Sequence, residues 1–372
     1  MADNPNAFKH ALGKPAIQRI AGNIRRVESA FDQKGFVRAG CEGLNGLELK
    51  ARVDHLVSVL RQFLPENERE AIALLVRAGA SWERDEVTST SGFAAWPMIE
   101  FVGEHGLGHF SESMEALRKL TGLFSAEFAI RNFIERYQVK ALKLLAVWTN
   151  DPSEHVRRLV SEGTRPRLPW GKRLRSFQND PAPVLKLLEK LKNDESEYVR
   201  RSVANNLNDI AKDHPDVVID VCKRWSKDAS PERQWIVKRA TRTLVKDGHP
   251  EVMKLLGFDP AADVVVDSLS LQPGGLKVGE DLAISFGVRS RSGKPIFVVI
   301  DYAIHHVKSN GERAPKVFKL KTMSLGPDEI VGISKTHKFR NITTSRYYTG
   351  KHAVEILING KSQAITEFDL KV

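Results

Sequence analysis

Two eleven-residue stretches, SEHVRRLVSEG at 153–163 and SEYVRRSVANN at 196–206, carry Ser, Glu, Val, Arg, Arg and Val at matching positions 43 residues apart. A weaker third copy, WIVKRATRTLV, places Val237, Lys238 and Arg239 a further 38 residues on. Each copy follows an apolar-periodic segment, at 138–149, 183–192 or 215–228, and a short turn containing Asp with Pro or Glu. A helix pair recurring at this interval predicts a HEAT-like α-solenoid, in which a pair buries its apolar face only by stacking on its neighbours. Such repeats usually build scaffolds, so function has to be sought in a site.

Upstream, the spacing predicts a helix over 15–33, opened by Pro15 and carrying Ile17, Ile20, Ala21, Ile24, Val27, Ala30 and Phe31 on one face. Further helices are expected at 46–63, 65–78, 96–105, 110–121 and 125–136, with 79–95 irregular. The composition changes at 259–263. Beyond it, VVVDSLSL, DLAISFGVRS, IFVVIDYAIHHV, KVFKLKTMSL, DEIVGISKTH, HAVEILING and QAITEFDLKV read as seven short strands separated by turns such as QPGG, RSGK and SNGE. The chain is therefore mainly α: a helical domain over 1–258, a linker at 259–263, and an all-β immunoglobulin-like sandwich over 264–372.

Charge narrows the partner. Lys and Arg number 57 against 46 Asp and Glu, a net charge of +11. The stretch 261–372 holds 16 basic and 11 acidic residues, so both domains are basic, as suits a chain whose two parts meet one polyanion. The two cysteines, Cys41 and Cys222, form neither a disulfide framework nor a metal cluster and fit a reducing cytoplasm. With neither a signal-length apolar run nor a membrane span, a soluble cytoplasmic protein is expected.

The basic character concentrates in SEGTRPRLPWGKRLRSF, residues 161–177, where Arg165, Arg167, Lys172, Arg173 and Arg175 alternate with Pro166, Pro169, Trp170 and Phe177, and no acid follows Glu162. Two prolines within four residues exclude a regular helix, so a loop held out towards a polyanion is expected, its five cations not all internally paired. On the helix of 196–211, Val199, Ser202, Val203, Asn206, Leu207 and Ile210 form the buried face, and Tyr198, Arg201, Asn205 and Asp209 a polar stripe beside it. The preceding copy puts His155, Arg158 and Glu162 on the equivalent stripe, and the next puts Arg239 there. One arginine per repeat, on helices about 8–10 Å apart, suits a duplex backbone. The alternative is a repeat consensus whose arginines pair with neighbouring acids.

Glu162 and Asp209 sit near helix C-terminal ends, where the dipole disfavours them, and Glu127 in SAEFAIRNFIERY is a third acid that a phosphate-binding groove would not call for. Rival signals are weak. EHGLGH, with Glu104, His105 and His109, lacks zinc-protease order, and the adjacent His305 and His306 point to opposite faces of a strand. No phosphate-cradling glycine loop is present, and no cofactor or metal is expected.

SAEFAIRNFIERY, VWTNDPSEHVRRLVSEGTRPRLPWG and DESEYVRRSVANNLNDIAKDHP resemble the DNA alkylation repair glycosylases of the AlkC type, most densely over 124–216. The strand-rich C-terminus matches the branch of that family with an immunoglobulin-like domain. The resemblance implies a monomeric enzyme that grips double-stranded DNA and releases cationic alkylated bases such as 3-methyladenine and 3-methylcytosine, leaving the lesion largely within the duplex. It further implies catalytic roles for Glu162, Asp209 and Glu127, a lesion contact for Trp170 and a backbone contact for Arg158. Arg165, Arg167, Lys172, Arg173, Arg175, Arg201 and Arg239 are then expected at the DNA, joined by Arg340, Arg346 and Lys351 of the loop RNITTSRYYTGK. A non-enzymatic nucleic-acid-binding scaffold would keep the same repeats and charge, with the acids incidental.

Overall fold

The computed structural model describes residues 7–82, 91–259, 261–341 and 346–372. Among these the chain forms sixteen α-helices and then eight β-strands, the changeover falling between Leu255 and Val264. It divides into two compact units, Met1–Asp213 with Ser230–Ala240, and His214–Ala229 with Thr241–Val372.

The first unit opens with α1 (Lys14–Val27), α2 (Gln33–Cys41), α3 (Leu49–Phe63), α4 (Glu68–Ala80), α5 (Trp96–His105) and α6 (Phe110–Leu120). The single helix expected over 15–33 ends at Val27. Asp32 then starts the next one by accepting the Gly35 N–H at 2.9 Å, a cap that periodicity does not register. Next come α7 (Ile130–Arg136), α8 (Gln138–Trp148), α9 (Glu154–Gly163), the short α10 (Arg175–Asn179), α11 (Ala182–Leu191) and α12 (Glu197–Ile210). After α13 (Pro215–Ser226), which counts with the second unit, α14 (Pro231–Ala240) completes the first.

The repeat has a polar lock. Arg157, first of the two arginines in SEHVRRLV, donates to both oxygens of Asp194 at 2.7 and 3.1 Å and to the carbonyl of Asp151 at 3.0 Å. One repeat earlier, Arg118 of α6 donates to Asp151 at 2.6 Å. Asp151 and Asp194 each accept the N–H of the serine two residues on, at 2.9 Å, and that serine opens α9 or α12. Arg200 continues the pattern on the carbonyls of Asp194 and Glu195, at 2.8 and 2.7 Å. The DPSE and DESE turns are thus tied down from the preceding repeat by a charged hydrogen bond.

Side by side, α9 and α12 bury Val156, Leu159, Val160, Val199, Val203 and Leu207 between repeats. Asn206 crosses from α12 to the Ser161 carbonyl at 2.7 Å. Because both helices end at the same side, Glu162 and Asp209, each in a last turn, are brought together. A third acid arrives through Gly103 of α5: a Cβ there would lie 2.8 Å from the Ala129 Cα, so only glycine lets the turn bearing Glu127 come this close.

In the second unit, α15 (Arg242–Lys246) and α16 (Pro250–Leu255) precede β1 (Val264–Gln272), β2 (Gly275–Lys277), β3 (Asp281–Ser290), β4 (Ile296–Val307), β5 (Arg313–Leu325), β6 (Ile330–Lys338), β7 (Gly350–Ile358) and β8 (Lys361–Lys371). One sheet has the order β1-β3-β6, the other β2-β8-β7-β4-β5. Leu282, Ile284, Phe286 and Val288 of the first meet Ile300, Tyr302, Val354 and Ile356 of the second in a single core. The strand missed by sequence is β2, three residues paired in parallel with β8 and too short to show alternation. His305 and His306 do face opposite ways, the first bonded to Glu355 at 2.8 Å, the second packed among Phe339, Tyr347 and His352. Among the described residues no helix is long and apolar enough to cross a membrane, and no cluster of His, Cys, Asp and Glu could hold a metal.

Candidate active site

Arg131 of α7 is fully buried and spends its guanidinium on backbone. It donates to the carbonyls of Gly163 and Arg165, both at 2.9 Å, and to that of Lys172 at 2.8 Å. Burial pulls its pKa down to about 10, with Glu135 opposing and Arg165 adding to the fall, so it is still charged at neutral pH. One side chain therefore gathers the segment 163–172 and folds it back on the helices.

That folding-back corrects the picture of a loop held out to solvent. Thr164, Arg165, Pro166 and Leu168 are buried, and the chain emerges only from Pro169 on, with Trp170, Lys172 and Arg173 exposed ahead of α10. Of the five cations, three meet acids from elsewhere in the chain. Arg165 reaches Glu162 and Asp209, Arg167 reaches Asp213 at 2.5 and 2.8 Å, and Lys172 reaches Glu135 at 2.5 Å. Arg173 and Arg175 are exposed, and among the described residues neither joins an ion pair.

The acids and arginines form an alternating row. Glu127 Oε2 accepts from Arg158 Nη1 at 2.5 Å and from Ser125 Oγ at 2.8 Å. Arg158 Nη2 lies 3.3 Å from Glu162 Oε1, and the guanidinium rests on the Tyr198 ring at 4.9 Å. Glu162 Oε1 also accepts from Arg165 Nη1 at 2.7 Å, and its Oε2 from Ser202 Oγ at 2.6 Å. Arg165 Nε donates onward to Asp209 Oδ2 at 2.8 Å, and Lys212 approaches Oδ1 at 3.4 Å. Three carboxylates alternate with two guanidinium groups, so the row carries a net charge of −1 before Lys212 is counted. Glu162 is only 4% exposed and Asp209 only 2%. Burial by itself would raise the Glu162 pKa, but Arg158 and Arg165, with the hydrogen bonds from Ser202 and Arg165, outweigh it and hold the carboxyl below the ordinary range.

Beside this row lies a cavity of about 270 Å³ lined by Phe93, Trp96, Phe124, Phe128, Leu168 and Trp170 together with Glu127, Glu162 and Arg165. Trp96 stacks on Phe124 and Phe128 at 5.0 and 5.1 Å, and Phe93 continues the wall to Phe8 at 5.9 Å. At the mouth Trp170 is 60% exposed, meets Phe8 edge-on at 6.4 Å, and holds φ at 63°, a left-handed conformation costly for a residue with a Cβ. Lys50 donates to its carbonyl at 3.4 Å. The result is an aromatic recess with carboxylates in its wall, suited to a planar group that carries or develops positive charge.

Glu127, Arg158, Glu162, Arg165, Trp170 and Asp209, singled out on sequence, converge here. Arg158 and Arg165, expected at the DNA, face carboxylates: Glu162 within one turn of each, with Glu127 and Asp209 brought in from distant segments. Outside the row, Arg201 pairs with Glu197 on the surface, and Arg239 lies over Trp235 at 5.4 Å. In the second unit Arg340 pairs with Asp281 at 2.7 Å, while Arg346 and Lys351 are exposed; residues 342–345 of that loop lie outside the described residues. Ser125, Ser202, Arg131 and the aromatic wall were not singled out. Ser202 lies on the buried face that the spacing predicts, and Phe93, Trp96, Phe124 and Phe128 come from separate segments, so no one helix's periodicity groups them.

Comparison with known proteins finds relatives of both parts of the chain. Residues 124–244 match the family described as "DNA alkylation repair enzyme", and residues 265–372 match "Uncharacterised protein YhaZ, C-terminal Ig-like domain". The "Uncharacterized protein YhaZ" of Bacillus subtilis (strain 168) is 36% identical over 364 residues, spanning 98% of this chain and 99% of that protein. The structure of Pseudomonas fluorescens alkylpurine DNA glycosylase AlkC bound to DNA containing an abasic site analog matches with a TM-score of 0.92 at 37% identity, covering 98% of this chain and 100% of that one. The chain thus belongs to the AlkC-type DNA alkylation repair glycosylases, in the branch that carries a C-terminal immunoglobulin-like domain.

Proposed function

We propose that this DNA glycosylase releases cationic alkylated bases, 3-methyladenine and 3-methylcytosine, from duplex DNA by hydrolysis of the N-glycosidic bond, acting as a monomer. Glu162, Asp209 and Glu127 supply the negative charge, and Trp170 meets the lesion. The observation that carries the reading is the Glu162 carboxylate, set in the wall of an aromatic recess and held below its ordinary pKa by Arg158 and Arg165. Such a group is an anion at neutral pH and cannot serve as a general acid. A substrate whose base already bears positive charge needs none, since it departs as a neutral molecule.

As that bond breaks, positive charge moves onto the sugar. A carboxylate about 4 Å away, at an effective dielectric near 20, stabilises it by about 4 kcal/mol before desolvation, roughly a thousandfold in rate. The same oxygens can orient the attacking water. Phosphate contacts fall to the exposed cations, Arg173 and Arg175 first, with Lys172 and Arg201, and with Arg340, Arg346 and Lys351 of the C-terminal domain.

The recess reads charge better than base identity. Its aromatic lining offers little to the Watson–Crick edge of an extruded base, and the Trp96 N–H is already given to Glu100 at 3.2 Å. This supports a lesion left largely within the duplex, in contrast to enzymes that read a flipped base by its edge.

Free base released from duplexes bearing 3-methyladenine or 3-methylcytosine tests the function. Glu162→Gln and Asp209→Asn are expected to slow release by at least about a hundredfold with binding retained. Wild-type protein that binds such duplexes and releases nothing would make the chain a scaffold. For the lesion's position, 2-aminopurine next to it should brighten little on binding; a strong rise means extrusion.

A further inference from the structure

We infer that Arg165 is a positioning residue for base release rather than a phosphate contact: its buried guanidinium, shared between Glu162 in the wall of the recess and Asp209 beside it, orients both carboxylates. The inference rests on the glycosylase reading above and assigns a task within the same site.

Three observations carry it. Arg165 comes from the segment that Arg131 folds back, and its side chain is only 8% exposed, so little of it is available to a phosphate arriving from solvent. Its donors are divided, Nη1 to Glu162 Oε1 at 2.7 Å and Nε to Asp209 Oδ2 at 2.8 Å, so one rigid fork ties the ends of two neighbouring helices. It also lines the recess directly. Two buried carboxylates brought together from adjacent helix C-termini would repel each other and be pushed towards protonation. A guanidinium between them offsets that repulsion and fixes how the two carboxylates are oriented. Ser202 completes the restraint by taking the other oxygen of Glu162 at 2.6 Å.

The groups facing Glu162 are Arg158 of α9, Arg165 of the following segment, Ser202, Tyr198 and Asp209 of α12, and Glu127 ahead of α7. Arg158 also bonds Glu127, so of the two arginines Arg165 alone joins Glu162 to Asp209. Removing it leaves Glu162 with one cationic neighbour and Asp209 with Lys212 at 3.4 Å. The Glu162 pKa then rises, and the acid limb of activity moves to higher pH.

The test uses the full-length protein and a duplex carrying 3-methylcytosine, under single turnover with enzyme in excess, across the acid side of the pH range. For Arg165→Gln the expected result is a single-turnover rate about 100-fold lower, an acid limb displaced to higher pH, half-saturation within about threefold of wild type, and an unchanged salt slope of binding. Arg165→Lys keeps the charge but not the fork, and should regain about tenfold of that loss with a smaller displacement of the limb. Should Arg165→Gln fail to fold, as judged by circular dichroism and its melting temperature, Arg165→Lys carries the same measurements. The inference is overturned if the folded variants keep the wild-type rate and pH limb whatever their melting temperature, since Arg165 is then only a structural brace. It is equally overturned if binding weakens with a shallower salt slope at unchanged rate, which marks a phosphate contact. Wild-type protein that releases no base defeats the glycosylase reading itself, whereas release by wild type and variant alike defeats only the role given to Arg165.

Discussion

Arg131 shows how a cation can shape a site from the interior, through backbone carbonyls alone. A fully buried guanidinium is costly to desolvate, and its pKa near 10 reflects that, yet the carbonyls of residues 163, 165 and 172 absorb its donors. Arg131→Met would fill much of the same volume while orphaning those carbonyls. Its expected cost is about 3 kcal/mol or more, read from the urea midpoint. Because the freed segment carries Arg165 and Trp170, the rate of base release should fall further than the loss of folded protein explains. Limited proteolysis should also find a new cut between 163 and 174. A variant as stable as wild type, uncut there, would show that the segment holds its shape by packing alone.

The helices themselves follow from short-range rules, and the repeat shows why. Period 3.6 in Val199, Val203, Leu207 and Ile210 marks α12, and the 43-residue recurrence of SExVRR marks its partner, so both were legible without coordinates. What periodicity cannot separate is the two arginines of VRR. Arg157 turns to the inter-repeat turn and Arg158 to the acids, one residue and about 100° of helix apart. The partners of Arg165 were hidden for a related reason: Asp209 lies 44 residues away, and only the parallel ends of α9 and α12 bring it close. Glu127 was legible as an unexplained acid, while the aromatic wall, gathered from 93, 96, 124 and 128, has no spacing to betray it. Asp194 offers a test of the lock between repeats. Its side chain is 5% exposed and holds both Arg157 and the N–H that opens α12, so Asp194→Ala should cost about 3 kcal/mol by leaving the buried arginine with only Glu195, at 3.5 Å, as an acidic partner. Hydrogen exchange should quicken first in α12; quickening spread evenly over the first unit would mean the turn is not a local lock.

A net charge of +11 makes any binding to a duplex depend on salt, but the charges are not equivalent. Only cations that displace counterions from phosphate contribute to the slope of affinity against salt, about −0.9 for each contact on B-DNA. Arg158, Arg165 and Arg167 are already neutralised by Glu127, Glu162, Asp209 and Asp213, and should contribute little although they belong to the most basic part of the sequence. Arg173 and Arg175, exposed and outside any ion pair among the described residues, should contribute nearly one contact each. If about six phosphates are neutralised in all, affinity for an undamaged duplex falls about a thousandfold between 50 and 200 mM salt. The double variant Arg173→Gln, Arg175→Gln should then flatten the slope by close to 2, while Arg165→Lys leaves it as it is. Fluorescence anisotropy over a salt series measures all three proteins. Affinities that barely respond to salt would point to a protein-binding solenoid. A steep slope that ignores Arg173 and Arg175 would move the phosphate contacts to other cations, with Arg346 and Lys351 of the second unit next to be replaced.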